Sequence, residues 1–465
     1  MEYNTNFKNL SSVLSKVKAG DKILIDDGTY PDVSLKISVK GTLDKRITIK
    51  AKNAGKAILT GKFKLTIDGS YVTFANFVMK DGGVKNGIEL KGVGNRITGC
   101  DISFNSSDAP IVALYAKNNR LDHCIFQNFT KAGVWVEVKR TGALDYVLID
   151  HNIFRNRSEG SGNGFEGIRI GTSGGSMSNS RTLVYSNLFD KVNGEVETIS
   201  VKSSENIIYK NNYTNTKGTI TLRHGNRSIV AKNRLLQNKV SGSGGIRIVG
   251  EDHTVYANLI KEANGGNTTG SGISITNGIK NSKLNQYLQV KNTEIVGNVL
   301  INNNCDFTIG LSKKGGTLQP IESEIKDNIV YKTSSDAIFS SKGSGSPDMK
   351  YENNKFYGKN FGSNPKNAGN LLKPTDFNIS SINEKDYGTE DPLGPDWTKT
   401  PESTELGIEV NVFYDNIKNE ILNDMKNKNN TVTKTKSVVI DIKDSDKLEV
   451  IESDDLTSDS ESDKE

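Results

Sequence analysis

The chain has 465 residues, of which 45 are glycine and 34% are hydrophobic, and asparagine recurs along most of its length. Because glycine and asparagine are poor helix formers, this composition argues against a helical bundle and favours many short strands joined by turns. The formal charge is +5, but residues 441–465 carry eleven acidic residues against three lysines, which leaves +13 on residues 1–440. A basic body indicates an anionic partner, and charge alone does not choose between a nucleic acid and an acidic glycan.

Other broad features narrow the class of protein. No stretch approaches the length of an apolar membrane span, so the sequence predicts no membrane segment. The first six residues, Met-Glu-Tyr-Asn-Thr-Asn, lack an apolar core, so they predict no secretory signal. Three cysteines are too few for a disulfide framework, and we expect Cys100, Cys124 and Cys305 to be small buried side chains.

The chain begins with a predicted helical cap over residues 1–22. Apolar residues recur at intervals of three to four in this stretch, which is typical of a short amphipathic helix that ends at Gly20. These residues are Phe7, Leu10, Leu14 and Val17. A strand is predicted to begin at Asp21.

A repeat then occupies residues 23–360. One short phrase recurs, an alternating strand followed by a polar residue and two mostly apolar residues, and most of its steps are 22–25 residues long with occasional insertions. The phrase begins at Asn76, Asp101, Cys124, Asn152, Asn187, Asn211, Asn233, Asn258, Asn298, Asn328 and Asn353. Such a period indicates a solenoid, and short strands with turns and in-register asparagines favour a parallel β-helix whose coils stack about 4.8 Å apart. We therefore predict an all-β, single-domain parallel β-helix in which stacked asparagines form ladders.

The repeat fades after residue 360. We expect residues 361–400 to be loops that close the solenoid. Residues 408–428 could form one helix, with Val410, Val412, Phe413, Ile417 and Ile421 roughly on one face. The rest of 401–465, from residue 429 onward, is rich in Lys, Asn, Ser and Asp, which predicts a disordered acidic tail. Such a tail either solubilises the protein or occupies its basic groove as a polyanion mimic.

Two glutamates, Glu195 and Glu197, mark the most informative stretch of the repeat. Residues i and i+2 of a strand face the same side, so their carboxylates share one surface. Carboxylates this close repel each other unless a cation or a shared proton lies between them. Lys202 follows five residues after Glu197, and Arg223 lies one coil further on.

Stacking of the coils would gather more cations around this pair. Arg169 precedes Glu195 by one enlarged coil, and Arg247 follows Arg223 by one coil. All three arginines lie in alternating strands and should point out of the core on one face. Glu197 and Lys202 are an odd number of residues apart and would face opposite sides of an unbroken strand, so a bend or corner must lie between them.

The residue types suggest proton abstraction next to a carboxylate. Asn163, which lies six residues before Arg169, adds an amide oxygen to the two carboxylates. Two carboxylates and an amide oxygen are hard ligands suited to Ca²⁺, which would neutralise a substrate carboxylate. Lys202 could remove the proton if nearby positive charges keep it neutral. Arg223, or a water that it orients, would serve the leaving oxygen, although arginine is a reluctant acid. His224 is a candidate proton relay, but a lone histidine is more often structural.

These residues and their spacing resemble polysaccharide lyase family six, which contains alginate lyases and chondroitinase B. The resemblance extends from about Gly20 to Trp397 and includes four segments in particular, Asn163–Gly171, Glu195–Ser203, Leu222–Gly225 and Gly244–His253. It implies a right-handed parallel β-helix and β-elimination on a uronate-containing polysaccharide. It also implies Asn163, Glu195 and Glu197 as Ca²⁺ ligands, Lys202 as base, Arg223 as acid, and Arg169, His224, Arg247, His253 and Tyr287 as substrate-binding residues.

Within the family, the alginate branch is the better match. The segments Gly244–His253 and Asn277–Val290 look like that branch, and the segment Gly270–Ile275 lacks an arginine that the dermatan-cleaving enzyme carries there. The expected partner is thus an anionic polysaccharide, and we expect the protein to bind neither nucleic acid nor a membrane. We expect a monomer or a homodimer. The family resemblance implies that it acts outside the cell or on a particle. Three alternatives remain: a dermatan or chondroitin lyase, a non-catalytic glycan-binding β-helix such as an adhesin or viral spike, and a glycoside hydrolase.

Overall fold

The computed structural model describes residues 1–82, 87–103, 110–140, 142–160, 162–342, 347–363 and 365–434. Residues 1–421 form one compact unit, and the described residues of a second unit, 422–434, are helical. The disordered tail was predicted from residue 429 onward, but residues 429–434 belong to a helix, and the rest of the predicted tail lies outside the described residues. None of the described helices is long and apolar enough to cross a membrane.

Three parallel sheets run through the first unit, and between residues 22 and 341 each coil of the chain contributes one strand to each sheet in turn. Sheet one has 14 strands, at Glu2–Thr5, Lys22–Ile25, Ile47–Ala51, Val72–Ala75, Arg96–Thr98, Arg120–Asp122, Leu148–Asp150, Leu183–Tyr185, Ile207–Tyr209, Ile229–Ala231, Thr254–Tyr256, Glu294–Val296, Ser323–Lys326 and Met349–Glu352. Sheet two also has 14, at Gly28–Pro31, Ala57–Gly61, Val78–Gly82, Asp101–Ile102, Ile125–Gln127, Ile153–Arg157, Leu188–Val192, Asn212–Thr214, Arg234–Leu236, Leu259–Lys261, Val299–Ile301, Ile329–Tyr331, Lys355–Tyr357 and Leu371–Leu372. Sheet three has 12, at Ser34–Ile37, Lys64–Ile67, Ile88–Leu90, Val112–Leu114, Val136–Val138, Ile168–Ile170, Glu197–Lys202, Thr219–His224, Ile246–Ile248, Ile273–Thr276, Phe307–Leu311 and Phe339–Ser341. This is the predicted parallel β-helix.

Alternating apolar residues fill the space between the three sheets with one continuous core. Aromatic rings stack from coil to coil within it: Phe154 lies between Phe126 and Phe189 with ring centroids 4.9 and 5.0 Å away. These distances match the spacing of the strands, because side chains at one register position lie directly above each other. Cys100, Cys124 and Cys305 are buried and unpaired, as expected.

Asparagine side chains form a buried ladder at the corner between sheets one and two. The ladder consists of Asn152, Asn187, Asn211, Asn233, Asn258, Asn298, Asn328 and Asn354. In each step the side-chain oxygen of one asparagine accepts hydrogen bonds from the backbone and side-chain nitrogens of the previous one, at 2.8–3.0 Å. The ladder confirms the predicted role for the asparagines from Asn152 to Asn328. Asn76 and Asn353 lie one position away from the ladder register, at positive φ, and Asn354 ends the ladder.

The helices differ from their predicted bounds. The N-terminal helix is only Leu10–Leu14, and the strand Glu2–Thr5, which was not predicted, comes before it and pairs with Lys22–Ile25. The C-terminal helix is Val410–Lys434, longer than predicted. On its first turns Tyr414 is buried in place of the predicted Val412, which is exposed. The remaining helical turns are short 3₁₀ segments at Ser173–Gly175, Pro374–Asp376, Ile379–Ser381, Glu384–Asp386 and Pro401–Thr404.

Candidate active site

A cavity of about 340 Å³ opens on the outer face of sheet three. Three neighbouring strands of that sheet supply most of its charged side chains, and the segments before and after the strands supply the rest. Its lining residues are Asn163, Glu166, Arg169, Thr172, Ser173, Glu195, Glu197, Lys202, Arg223 and His224. The structure therefore gathers seven of the ten residues predicted from the sequence into one cavity.

Two β-bulges explain how these side chains share one face. Ile199 pairs with Ile220 whereas Glu197 pairs with Thr219, so Thr198 is an extra residue in its strand. A bulge interrupts the alternation of a strand, which lets Glu197 and Lys202 face the same cavity despite their odd spacing. The required break is thus a bulge inside one strand, and not a corner.

The second bulge lies at Arg223 in the adjacent strand. Val201 pairs with Leu222, and Lys202 pairs with His224, so Arg223 is the extra residue there. Leu222 points into the core, while Arg223 and His224 both line the cavity. Two consecutive residues can face the same side only where alternation is broken, so this bulge gives the site both of these side chains.

Three carboxylates lie together at the base of the cavity. Glu166, Glu195 and Glu197 each offer an oxygen within 4.8 Å of the others. Burial and then the charges of Glu166 and Glu197 raise the pKa of Glu195 to about 8. Such a group favours either a shared proton or a bound cation, since both relieve the repulsion.

The sequence analysis missed Glu166. Arg169 donates from its Nε and Nη2 atoms to the two carboxylate oxygens of Glu166, at 2.9 and 2.7 Å. The Lys202 Nζ atom lies 3.5 Å from the same carboxylate. A signal was present, because Ile168 pairs with Ile199, and the same offset of 31 residues places Glu166 beside Glu197.

Glu197 is held by neighbours on its own and later coils. Ser200 donates to one of its carboxylate oxygens, and the guanidinium groups of Arg223 and Arg247 lie 3.9 and 3.5 Å from the other. These contacts fix the direction of the carboxylate and balance its charge. Ser200 is a second residue that the sequence analysis did not identify.

Tyr287 lies behind Arg223 and is buried, outside the lining of the cavity. The Arg223 guanidinium stacks over the Tyr287 ring at 4.1 Å, and Arg247 lies 5.4 Å from the same ring centroid. Burial alone would raise the pKa of Tyr287, but a hydrogen bond with Arg247 and the two guanidinium charges lower it below its usual value. The ring supports the two arginines, and the expected contact of Tyr287 with a substrate stays a prediction.

His224 is buried at the edge of the cavity, where its Nε2 atom lies 3.2 Å from the Ser173 hydroxyl. Burial and then the charges of Arg223 and Lys202 lower the pKa of His224 to about 3. The ring is therefore neutral at ordinary pH and able to form hydrogen bonds without adding charge.

His253 does not belong to this site, which corrects the prediction of a substrate contact. It is buried at the corner between sheets three and one, where its Nδ1 atom accepts from the Ser228 backbone at 3.2 Å and its Nε2 atom lies 3.0 Å from the Val249 carbonyl. Both ring nitrogens are used by the backbone, so neither is free for a sugar. Its segment Gly244–His253 contains a strand of sheet three and the following corner, and a histidine at that corner continues a polar ladder.

Comparison with known proteins identifies relatives by sequence and by structure. The sequence model of the chondroitinase B family matches residues 4–390. Among solved structures, the PL6 family alginate lyase AlyGC is 29% identical with a TM-score of 0.75, over 85% of this chain and 57% of its own, so the present chain spans less than two thirds of AlyGC. A mannuronic acid specific family 6 lyase from human gut microbiota is 27% identical with a TM-score of 0.63, over 75% of this chain and 81% of its own.

A third solved structure shows the fold alone. The PL6 family polysaccharide lyase Pedsa3628 from Pseudopedobacter saltans is 22% identical with a TM-score of 0.64, over 83% of this chain and 98% of its own. None of the curated protein sequences matches the chain. The solved structures confirm the predicted fold, a right-handed parallel β-helix.

Proposed function

The chain belongs to the chondroitinase B family, within polysaccharide lyase family six, and from this premise we propose that it cleaves a uronate-containing polysaccharide by β-elimination. The observation that carries the proposal is the meeting of Lys202 and Arg223 on adjacent coils in one cavity, next to three carboxylates. A non-catalytic glycan-binding protein has no need of a base in that place. A glycoside hydrolase needs an acid and base pair of carboxyl groups that is free to act, whereas Glu166 and Glu197 are held by cations here.

Lys202 is the proposed base. Its Nζ atom would take the proton from the carbon next to the uronate carboxylate, and the electrons of that bond would form the new double bond. The bond to the glycosidic oxygen breaks in the same step, and this leaving oxygen takes a proton from Arg223 or from a water that Arg223 orients. Burial lowers the pKa of the Arg223 guanidinium, which favours this otherwise reluctant acid.

The other cations bind and orient the substrate. Arg169 is 22% exposed and held by Glu166 through its Nε and Nη2 atoms, so its remaining N–H groups can reach a sugar carboxylate or hydroxyl group. Arg247 is almost buried and supports Glu197 and Tyr287. The neutral His224 ring offers a hydrogen bond at the rim.

The donor set fits a hard divalent cation such as Ca²⁺. We propose Asn163, Glu195 and Glu197 as its ligands. Arg169 donates to both carboxylate oxygens of Glu166, at 2.9 and 2.7 Å, whereas the two guanidinium groups near Glu197 lie 3.9 and 3.5 Å from one of its oxygens. Burial and then the charges of Glu166 and Glu197 raise the pKa of Glu195, and a cation would relieve the repulsion. When bound, such a cation would neutralise the uronate carboxylate and make the neighbouring C–H group more acidic. Added calcium should raise the melting temperature of the native protein, measured by thermal denaturation, and should leave that of a Glu195→Gln variant unchanged.

Alginate is the proposed substrate. Two solved relatives above 25% identity are described as an alginate lyase and a mannuronic acid specific lyase, and the sequence segments that resemble the alginate branch support the same choice. Dermatan sulfate and chondroitin sulfate are the alternatives that the family name brings.

One assay tests the proposed reaction. The protein is incubated with alginate, dermatan sulfate or chondroitin sulfate, and the ultraviolet absorbance of the unsaturated uronate product is followed with and without a chelator. We expect an increase on alginate that the chelator suppresses. Lys202→Ala should reduce turnover by at least about 100-fold while the circular dichroism spectrum stays native. No absorbance change on any of the three polymers would refute the lyase, and new reducing ends without absorbance would indicate a hydrolase.

A further inference from the structure

A second cavity, of about 300 Å³, adjoins the first on the other side of Glu195. Asn163 and Glu195 line both cavities, so the two are neighbours that share these side chains as a common wall. The remaining lining of the second cavity is Glu159, Gly160, Gly162, Gly194, Val196 and Lys217. None of these six residues has a role in the proposed elimination.

The wall of the second cavity is built around close backbone approaches. A Cβ atom at Gly218 would lie 2.3 Å from the Thr198 hydroxyl, and one at Gly160 would lie 2.2 Å from the Phe165 ring. The Lys217 backbone donates to the Asn193 side chain at 2.9 Å. The turn that carries Lys217 is thereby fixed against the bulged strand of the catalytic site.

The charge on Lys217 is available to a ligand. Its only described ionic partner is Glu159, and the two side chains are 25% and 67% exposed. An ion pair with so exposed a partner contributes little to stability, because water solvates the carboxylate equally well. Another carboxylate can therefore replace Glu159 at small cost. Val196, which is 49% exposed beside it, offers an apolar surface of the kind that packs against a sugar ring.

We propose that the second cavity is a further sugar subsite, in which Lys217 binds the carboxylate of a uronate that precedes or follows the one at Lys202. This inference rests on the proposed function, since it needs a polymer with a carboxylate on neighbouring sugars. Glu159 forms an ion pair with Lys217 in the free protein, and the carboxylate of the bound polymer replaces it. The subsite lengthens the recognised segment of polymer without taking part in bond cleavage.

The kinetic test compares variants on alginate oligosaccharides of increasing length. Lys217→Met should raise KM about three- to tenfold on oligosaccharides long enough to fill both cavities, with a smaller change in kcat, and should have little effect on the shortest substrate. Glu159→Gln should lower KM, because it removes the competing carboxylate. Lys52 and Asp26 form another exposed ion pair, far along the coils, so Lys52→Met and Asp26→Asn are the matched controls for loss of charge.

A binding test separates this proposal from the proposed function. The same substitutions are made in a Lys202→Ala background, and retardation in gels that contain alginate is measured. Weaker retardation with Lys217→Met than with Lys52→Met supports the subsite even if the native protein proves to be no lyase. Equal retardation, or a KM effect that does not depend on oligosaccharide length, overturns the subsite while leaving the lyase intact. Failure of the native protein to bind any uronate polymer overturns both.

Discussion

Glu166 has no freedom to act as a simple acid or base. Its two oxygens accept from Arg169, and Lys202 lies 3.5 Å away, so one buried carboxylate positions two cations of the site. In the proposed reaction such an arrangement would contribute through geometry, because small displacements of a reacting group are costly. Glu137, in the strand Val136–Val138 of sheet three, offers a comparison, since it is also buried and pairs with Lys139 at 2.9 Å.

Glu166→Gln should therefore reduce kcat/KM by about 10- to 100-fold, since Arg169 and Lys202 lose the charge that holds them. Glu137→Gln removes a similarly buried charge one strand away, next to Arg169 in register, and should change kcat/KM by less than about threefold. Steady-state kinetics of both variants, with thermal denaturation to match their stability, makes the comparison. Equal losses of activity at matched stability would show that any carboxylate beside Arg169 has the same effect, and would contradict a special positioning role for Glu166.

Tyr287 allows a test of how Arg223 is positioned. If the ring face holds the guanidinium, Tyr287→Phe should retain most of the activity, because the stacking at 4.1 Å survives. Tyr287→Leu should lower kcat by about tenfold or more, since Arg223 and Arg247 lose their shared support. The measurement is kcat at saturating polymer, and an equally large loss with phenylalanine and with leucine would instead assign the role to the hydroxyl group, which both variants lack.

At the scale of the structural elements, each asparagine of the ladder stabilises the fold through several buried hydrogen bonds at once. Asn233 accepts from the backbone and side-chain nitrogens of Asn211, both at 3.0 Å, and donates to two backbone carbonyls. All of these groups are buried, so removal of the amide leaves several of them without a partner.

Asn233→Ala should lower the free energy of unfolding by about 3 to 5 kcal/mol. Asn354→Ala, at the partly exposed end of the ladder, should cost about half as much, because water can reach the groups that it leaves. Urea denaturation followed by circular dichroism measures both. Equal losses would mean that the ladder acts through coil geometry rather than through buried hydrogen bonds.

The period of 22–25 residues was enough to predict the solenoid, the stacking of Arg169, Arg223 and Arg247 on one sheet, and the polar ladder, because each depends only on register. The bulges at Thr198 and Arg223 were not predictable in the same way. A bulge is a local choice between two backbone geometries, set by what packs on the next coil, such as Gly218 against Thr198. The ion pair between Glu166 and Arg169 likewise depends on side-chain geometry, which the sequence does not give. The position of Glu166 beside Glu197 depends only on the offset between their strands.

At the scale of the whole first unit, segment 391–409 covers part of sheet one. Arg96 donates to the Pro401 carbonyl at 2.9 Å, and the Trp397 indole donates to the Gly99 carbonyl at 2.8 Å. Near one end of the segment, His151 stacks on His123 with ring centroids 4.9 Å apart. The Asp150 carboxylate lies 2.8 Å from Nδ1 of His151.

The charged groups around His151 determine its titration. Asp150 and Asp391 face its two ring nitrogens, Arg120 binds Asp150, and the Tyr185 ring lies edge-on at 5.5 Å. Burial alone would lower the pKa of His151, but the hydrogen bond and charge of Asp150 outweigh it and raise the pKa above its usual value. His253 is the opposite case, since burial lowers its pKa to about 4.

The two histidines should therefore give opposite dependences of stability on pH. A raised pKa in the folded state contributes stability below the ordinary value of about 6.5, and that contribution is lost as the pH rises through the folded pKa. A lowered pKa contributes stability above about 6.5, and it is lost as the pH falls toward 4.

The difference in melting temperature between the native protein and His151→Gln should thus be largest near pH 5.5 and shrink by pH 8.5, whereas that for His253→Gln should be largest at pH 8.5. Each pH serves as its own reference, because the native protein and both variants are measured in the same buffer. Parallel trends for the two variants would contradict the assignment of charge to His151, and with it the attraction between this ring and Asp391 in the covering segment.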